Sequence, residues 1–421
     1  MFLRFVLFAS TLARLTAGAW SALWTFPSIL ASAFLVAWAA EAAQFLISQG
    51  LALAILAWLQ TLPEFAVEAV IVWEAGKDPT RTHLAIANLT GAIRLLIGLG
   101  WPMIYFVAAF SAFRSGRRHT WAEIDLDDEH AVEVVGLFPP LLYFFWIWAK
   151  GSLSLIDGAI LTSMYLAYLA VLWRLPPKKE DAVEDVARVS RLVLRLQGAL
   201  RWTALAGLFA AGGTLLYFTA HPFLESMLAL AVVFGVSDFV FVQWVAPFLS
   251  EFPEKVSAFY WARKVSSAPM ALMNMVSSNI NQWTVLAAMI PLVYSLSVGA
   301  PAALPFDGVQ KQEILLTILQ SLLAMLILGN MRFSFWEAGL LFVLWFTQFM
   351  RPELREEIAW VYGTWAGLIF LSAFVDPARR RAPRLFLQLV RSAFGGRRAV
   401  RPTAPAVRIR PAKRKKKKKR H

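Results

Sequence analysis

The stretch "LQTLPEFAVEAV", residues 59–70, runs through apolar sequence yet sets a carboxylate directly after a proline, Pro63-Glu64, with Glu68 one helical turn further on. The second half of the chain holds "LSEFPEKVSAF", residues 249–259, with Pro253-Glu254. A carboxylate inside a membrane segment costs about 3 kcal/mol on insertion scales. Two of them kept in the same proline context read as a functional pair.

The surroundings justify the membrane premise. Hydrophobic residues make up 58% of 421 and charged residues only 16%; the mean hydropathy is +0.57. Apolar runs able to cross about 30 Å of hydrocarbon recur along the whole length. Eighteen tryptophans fit interfacial anchoring as well as packing in a bundle. The absence of cysteine excludes disulfides, thiolate metal sites and cysteine nucleophiles. No phosphate-binding glycine loop, zinc motif or nucleophile elbow is present, and the histidines show no ligand spacing. The expectation is of no enzyme and no resident cofactor.

Spans are predicted at 21–48, 51–75, 84–111, 133–149 and 154–174, then at 201–231, 236–263, 268–297, 312–329, 334–350 and 356–374. This gives six segments. Residues 1–20 read as an N-terminal interfacial helix, 21–174 as a first transmembrane repeat, and 175–200 as a cytoplasmic linker carrying a short surface helix. Residues 201–350 read as a second repeat, 351–376 as one extra helix, and 377–421 as a basic, disordered tail. Arg114, Arg117, Arg118, the linker cations, Arg263, Lys264 and the tail then fall on one side, and only scattered cations such as Lys77, Arg81, Lys150 and Lys311 on the other. That bias puts the tail in the cytoplasm. Much of the net charge of +14 lies in the tail. It reads as a solvated segment that fixes orientation, or as one drawn to anionic lipid headgroups; no nucleic-acid partner is expected.

Five spans per half place the two halves in opposite orientations. The halves also correspond: "GLGWPMIY" (98–105) answers "AAMIPLVY" (287–294), and "SLIDGAIL" (154–161) answers "SFWEAGLL" (334–341), in the same order as the Pro-Glu pairs. The fold class expected is an all-α polytopic membrane protein of two inverted-topology repeats of five helices plus one extra C-terminal helix. A proline in a span frees the carbonyl four residues earlier, here Leu59 and Leu249. With Gln60 and Thr61 beside one glutamate, and Ser250 and Glu251 beside the other, each half offers hard oxygen donors of the kind Ca2+ or Na+ prefers. Four acids at one depth (Glu64, Glu68, Glu251, Glu254) cannot all ionise without cations, so proton release on Ca2+ binding is expected.

On these motifs the chain resembles the sodium/calcium exchanger family of calcium:cation antiporters. That family carries Gly-Thr-Ser-x-Pro-Glu in each repeat; the chain reads Leu59-Gln60-Thr61-Leu62-Pro63-Glu64 and Leu249-Ser250-Glu251-Phe252-Pro253-Glu254. The family's later asparagine-rich element is matched by "MNMVSSNINQ" in the second half, ending at Gln282, and by "ANLTGAIRLL" in the first. The first half's last motif position is apolar, Ala92 or Leu96 according to register. The resemblance implies an antiporter of inorganic cations, Ca2+ against H+ or Na+, working by alternating access. It implies Glu64 and Glu254 as metal ligands, with Thr61, Gln60, Ser250, Glu251, Ser278 and Gln282 around them, and Asn88 in a shifted register. Glu68 and Arg94 are expected modulators, Arg94 as an internal cation paired with Glu64, Glu68 or Glu251. The alternatives are a transport-inactive scaffold and a carrier of another solute, one with an anionic group that Arg94 recognises.

Overall fold

The structure is a computed structural model that describes residues 2–43, 45, 61–114, 123–175 and 187–394. The start of the expected span 51–75, Gln60 included, lies outside the described residues, as do Arg117, Arg118, residues 176–186 and the tail beyond Phe394.

Helix α1 (Phe2–Ala43) is continuous, so the expected separate interfacial helix and the first span are one element. In the first half follow α2 (Leu62–Lys77), α3 (Thr82–Leu95), a π-turn (Leu96–Gly100) and α4 (Trp101–Arg114). Strand β1 (Glu123–Asp125), α5 (Ala131–Gly136), α6 (Phe138–Lys150), β2 (Ser152–Leu153) and α7 (Leu155–Arg174) complete it. The linker carries the expected short helix, α8 (Arg188–Arg195).

The second half repeats the plan. Helix α9 (Gly198–Phe234) leads to α10 (Asp238–Ser250) and α11 (Phe252–Ala262), then α12 (Ala268–Asn281), a second π-turn (Gln282–Leu286) and α13 (Ala287–Val298). Strand β3 (Leu304–Pro305), α14 (Gly308–Ile327), β4 (Arg332–Ser334) and α15 (Phe335–Met350) follow, and α16 (Arg355–Val375) is the extra helix. Seven helices among the described residues are long and apolar enough to cross a bilayer. The segment 268–298 is not among them, since Asn274, Ser277, Ser278, Asn279, Asn281 and Gln282 all lie in it. The lengths, together with outward faces that expose Trp336 at 81% and Val375 at 86%, make the chain an integral membrane protein.

Packing between the halves is reciprocal. Helix α2 lies on α13, and α11 on α4; α7 packs on the second π-turn, and α15 on the first. The short strands follow the same rule: β1 pairs with β4 and β2 with β3, both antiparallel, at opposite ends of α6 and α14. The matched segments "SLIDGAIL" and "SFWEAGLL" both open helices with capping boxes, Ser154 with Asp157 and Ser334 with Glu337.

The tail departs from expectation. Its first part is a helix, α17 (Arg381–Phe394), and not disordered chain. Leu385, Phe386 and Leu389 recur at helical spacing and pack on the core, which offsets the ordering entropy. Arg381 donates to Asp128 at 2.8 Å, and Arg174 sits 4.2 Å from the Phe394 ring.

Candidate functional site

Proline placement builds the site. Helix α10 ends at Ser250, Glu251 sits at the break with φ −93° and ψ 0°, and α11 restarts with Pro253 in its first turn. Pro63 likewise lies in the first turn of α2. Proline is tolerated there because first-turn N–H groups have no intrahelical partner. The expected kink inside a continuous span is therefore a helix start, at least in the second half, where both sides of the break are described. Each start puts a glutamate one residue past the proline, facing the bundle.

Glu64, Glu68, Glu251 and Glu254 are all buried. Their partners come mainly from α12 and its π-turn. Gln282 donates one Nε2 to Glu64 Oε1 at 3.1 Å and to Glu251 Oε1 at 2.8 Å, joining carboxylates from the two halves. Ser278, one turn earlier, donates to Glu254 Oε1 at 2.5 Å, and Asn274 reaches the same oxygen at 3.4 Å. Asn279 orients the Gln282 amide, donating to its Oε1 at 3.1 Å. In the first half Asn88 donates to Glu68 Oε2 at 2.5 Å. Glu64 stands within electrostatic reach of Glu251, Glu254 and Lys255. Four buried acceptor oxygens near these groups carry no hydrogen bond: Glu64 Oε2, Glu68 Oε1, Asn88 Oδ1 and Asn279 Oδ1. Unpaired carboxylate and amide oxygens in a water-poor interior are suited to a proton or a hard cation. Among the described residues no three acidic or histidine side chains converge into a ready metal cage.

The structure thus gathers Glu64, Glu251, Glu254, Ser278 and Gln282, and places Asn88 with Glu68. Thr61 is buried at the start of α2, where its carbonyl accepts the Phe65 N–H at 3.0 Å. Ser250 is spent within its own helix, donating to the Ala246 carbonyl at 2.9 Å.

Arg94 corrects the sequence reading most sharply. It is fully buried, yet pairs with none of the site glutamates. Its Nη2 lies 2.5 Å from Glu313 Oε2, its Nη1 donates to Gln348 Oε1 at 3.0 Å, and its guanidinium stands 5.1 Å from the Trp244 ring. Glu313 on α14 also pairs with Arg355 of α16, which donates to Gln243 Oε1 at 3.0 Å. The guanidinium goes to Glu313 because α14 and α10 flank α3 at that level, while α2 meets α3 at Asn88 instead.

The cation that does stand at the site is Lys255, which sequence reasoning passed over. It is 5% exposed and pairs with Glu251 Oε2 across one turn of α11. The signal was present: a lysine four residues after a glutamate in an apolar helix is a buried i, i+4 ion pair. Glu41 accepts from Ser190 at 2.8 Å and Ser257 at 3.0 Å, tying α1 to the linker helix and to α11.

The pattern of the sodium/calcium exchanger protein family matches residues 17–174 and 204–350. Among solved structures, the chain is similar to the H+/Ca2+ exchanger CAX at 32% identity, with a TM-score of 0.81 over 89% of this chain and 91% of that one. It is also similar to native YfkE, at 15% identity, a TM-score of 0.54, and coverage of 82% and 98%. For the sodium-calcium exchanger NCX_Mj soaked with 10 mM Na+ the values are 19% identity, a TM-score of 0.47, and coverage of 80% and 99%. No curated protein matches the chain.

Proposed function

The chain belongs to the sodium/calcium exchanger family, and on that premise we propose that it is a secondary antiporter that exchanges Ca2+ against H+ by alternating access. One observation carries the reading: Gln282 holds Glu64 of the first half and Glu251 of the second on one amide nitrogen, near Glu254, with Glu64 Oε2 and Asn279 Oδ1 left unpaired. A site built from both halves opens to either side as one half moves against the other. The reciprocal helix and strand pairing supports two inverted repeats around it.

Exchange follows from competition. Buried carboxylates bear their charge only with a compensating cation. With Ca2+ bound, Glu64 and Glu254 serve as anionic ligands, and Ser278 and the amide oxygens supply neutral ones. With Ca2+ gone, protons take its place on the same oxygens. Sharing one set of carboxylates makes the two loads mutually exclusive, and so couples their movement. The solved H+/Ca2+ exchanger of similar fold supports protons as the counter-ion.

The basic tail lies on the cytoplasmic side of a plasma (inner) membrane, where its cations attract anionic headgroups. No enzymatic step and no resident cofactor enter the reading; the partners are inorganic cations and lipid.

The test is radiolabelled Ca2+ uptake into proteoliposomes under an imposed pH gradient, with Glu64→Gln and Glu254→Gln alongside. Uptake by the wild-type chain and its loss in both variants is expected. Uptake that persists in either variant removes that carboxylate from the site, and no uptake by the wild-type chain overturns the antiporter reading.

A further inference from the structure

Lys255 introduces a fixed positive charge into a site otherwise made of acids. Its side chain is 6% exposed. With Pro63 aligned on Pro253, Glu251 and Lys255 correspond to Thr61 and Phe65, both uncharged. The second half has thus gained an acid and a base together, four residues apart on α11. Both Glu251 oxygens are consequently occupied by protein donors, Oε1 by Gln282 at 2.8 Å and Oε2 by the Lys255 ammonium. Glu64, by contrast, keeps Oε2 unpaired. The ammonium also lies within electrostatic reach of Glu64 and Glu254.

We infer that the Lys255 ammonium is a tethered occupant of a monovalent-cation position beside Glu251, and that it thereby excludes Na+ from the transport cycle. The inference rests on the antiporter reading and adds the residue that sets its cation selectivity. An ammonium and Na+ are both compact monovalent charges, and both seek carboxylate oxygen. A second monovalent cation beside the ammonium meets like-charge repulsion at short range, in surroundings that screen it poorly. A divalent ion has a different place, on Glu64, whose Oε2 is unpaired, and on Glu254, whose described hydrogen-bond donors are neutral. The bland account is an ion pair that only fastens the first turn of α11 to the break at Glu251. It predicts no change in the response to Na+ when the lysine is removed.

The experiment measures Na+ sensitivity apart from Ca2+ transport itself. Wild-type protein, Lys255→Met and Lys255→Arg are reconstituted, and pH-driven uptake of radiolabelled Ca2+ is measured with external NaCl or choline chloride. The wild-type chain and Lys255→Arg are expected to take up Ca2+ equally in both salts, because each keeps a cation beside Glu251. In Lys255→Met, Na+ is expected to change uptake about tenfold relative to choline, the scale of losing one close charge contact. Equal uptake in both salts by a folded, transporting Lys255→Met overturns the inference, as does Na+ dependence in the wild-type chain. Should Lys255→Met not fold or transport, equilibrium binding of radiolabelled Na+ to purified wild-type protein decides. Absence of Ca2+-displaceable Na+ binding supports the tethered cation, and its presence refutes it. Loss of wild-type Ca2+ uptake in choline alone would mark failure of the antiporter reading instead.

Discussion

Replacing Glu313 by leucine isolates the energetics of the buried network that took Arg94 away from the site. Glu313 is 2% exposed and holds two guanidiniums, Arg94 through Oε2 at 2.5 Å and Arg355 through Oε1. It also accepts from Gln243 Nε2 at 3.0 Å. Leucine removes all three acceptances and leaves two positive charges in the bundle with no counter-charge among their described partners. Removing one member of a buried ion pair costs about 3–5 kcal/mol, because the other charge is left uncompensated. Here two charges are stranded, which argues for the upper end. The residual contacts of Arg94 with Gln348, the Thr90 carbonyl and the Trp244 ring keep the loss from doubling. The expected loss is about 5 kcal/mol, seen in detergent as a thermal midpoint lower by about 10 °C. Tryptophan fluorescence follows the transition, since Trp244 lies against the Arg94 guanidinium. The triple replacement Arg94→Met, Glu313→Leu, Arg355→Met should recover most of the loss, as apolar side chains can replace a buried triad without stranding charge. A Glu313→Leu protein that unfolds at the wild-type midpoint would show that these groups are not assembled as described.

Two further outcomes follow from the packing. Gln282→Ala removes the donor shared by Glu64 and Glu251, and should weaken Ca2+ binding about tenfold while leaving the fold intact, measured by titration calorimetry. Gly91→Ala should be poorly tolerated: a Cβ there would lie 1.8 Å from the Gln243 carbonyl oxygen, so α3 and α10 must separate. A loss of about 1–3 kcal/mol or failure to express is expected, and a variant of wild-type thermal stability would disprove the close approach.

The fold was legible because the membrane leaves few choices. Long apolar runs, an odd number per half and repeated Pro-Glu and Ser-x-x-acid segments state the plan in the sequence, and the capping boxes at Ser154 and Ser334 confirm the last of these as helix starts. The carboxylates were legible for the same reason, since an acid in an apolar helix must be explained. Pairing was not. Arg94, Glu313 and Arg355 stand far apart in sequence, and nothing local says that α14 and α16 bring the carboxylate and the second guanidinium to Arg94. Lys255 stands in the quoted stretch, but only the packing shows its ammonium buried against Glu251. The tail's opening helix was hidden by its arginines, whose density resembles disorder although Leu385, Phe386 and Leu389 keep helical spacing.

The two π-turns settle a register that sequence left open and explain why the site is lopsided. The Trp101 N–H bonds the Leu96 carbonyl, and the Ala287 N–H bonds the Gln282 carbonyl, the same five-residue step in each half. Leu96, and not Ala92, is therefore the counterpart of Gln282. Counting back from these positions sets Asn88 against Asn274 and Ala92 against Ser278. Both asparagines find a glutamate on the preceding Pro-Glu helix: Asn274 takes Glu254, while Asn88 takes Glu68, one turn deeper along its helix than Glu64. In the second half, Ser278 and Gln282 then supply a hydroxyl and an amide; in the first, Ala92 and Leu96 supply neither. Glu64 consequently has no amide or hydroxyl from its own half at those positions, and the donor it receives comes from across the interface, from Gln282. A single amide holds Glu64 and Glu251 only while the halves are in register. Sliding of one half against the other stretches the Gln282–Glu64 hydrogen bond and spares the Gln282–Glu251 one, because Gln282 and Glu251 both belong to the second half. Glu64 Oε1 then loses its described donor. With Ala92 and Leu96 apolar, Gln282 is thus a side chain of the second half that ties down Glu64 of the first.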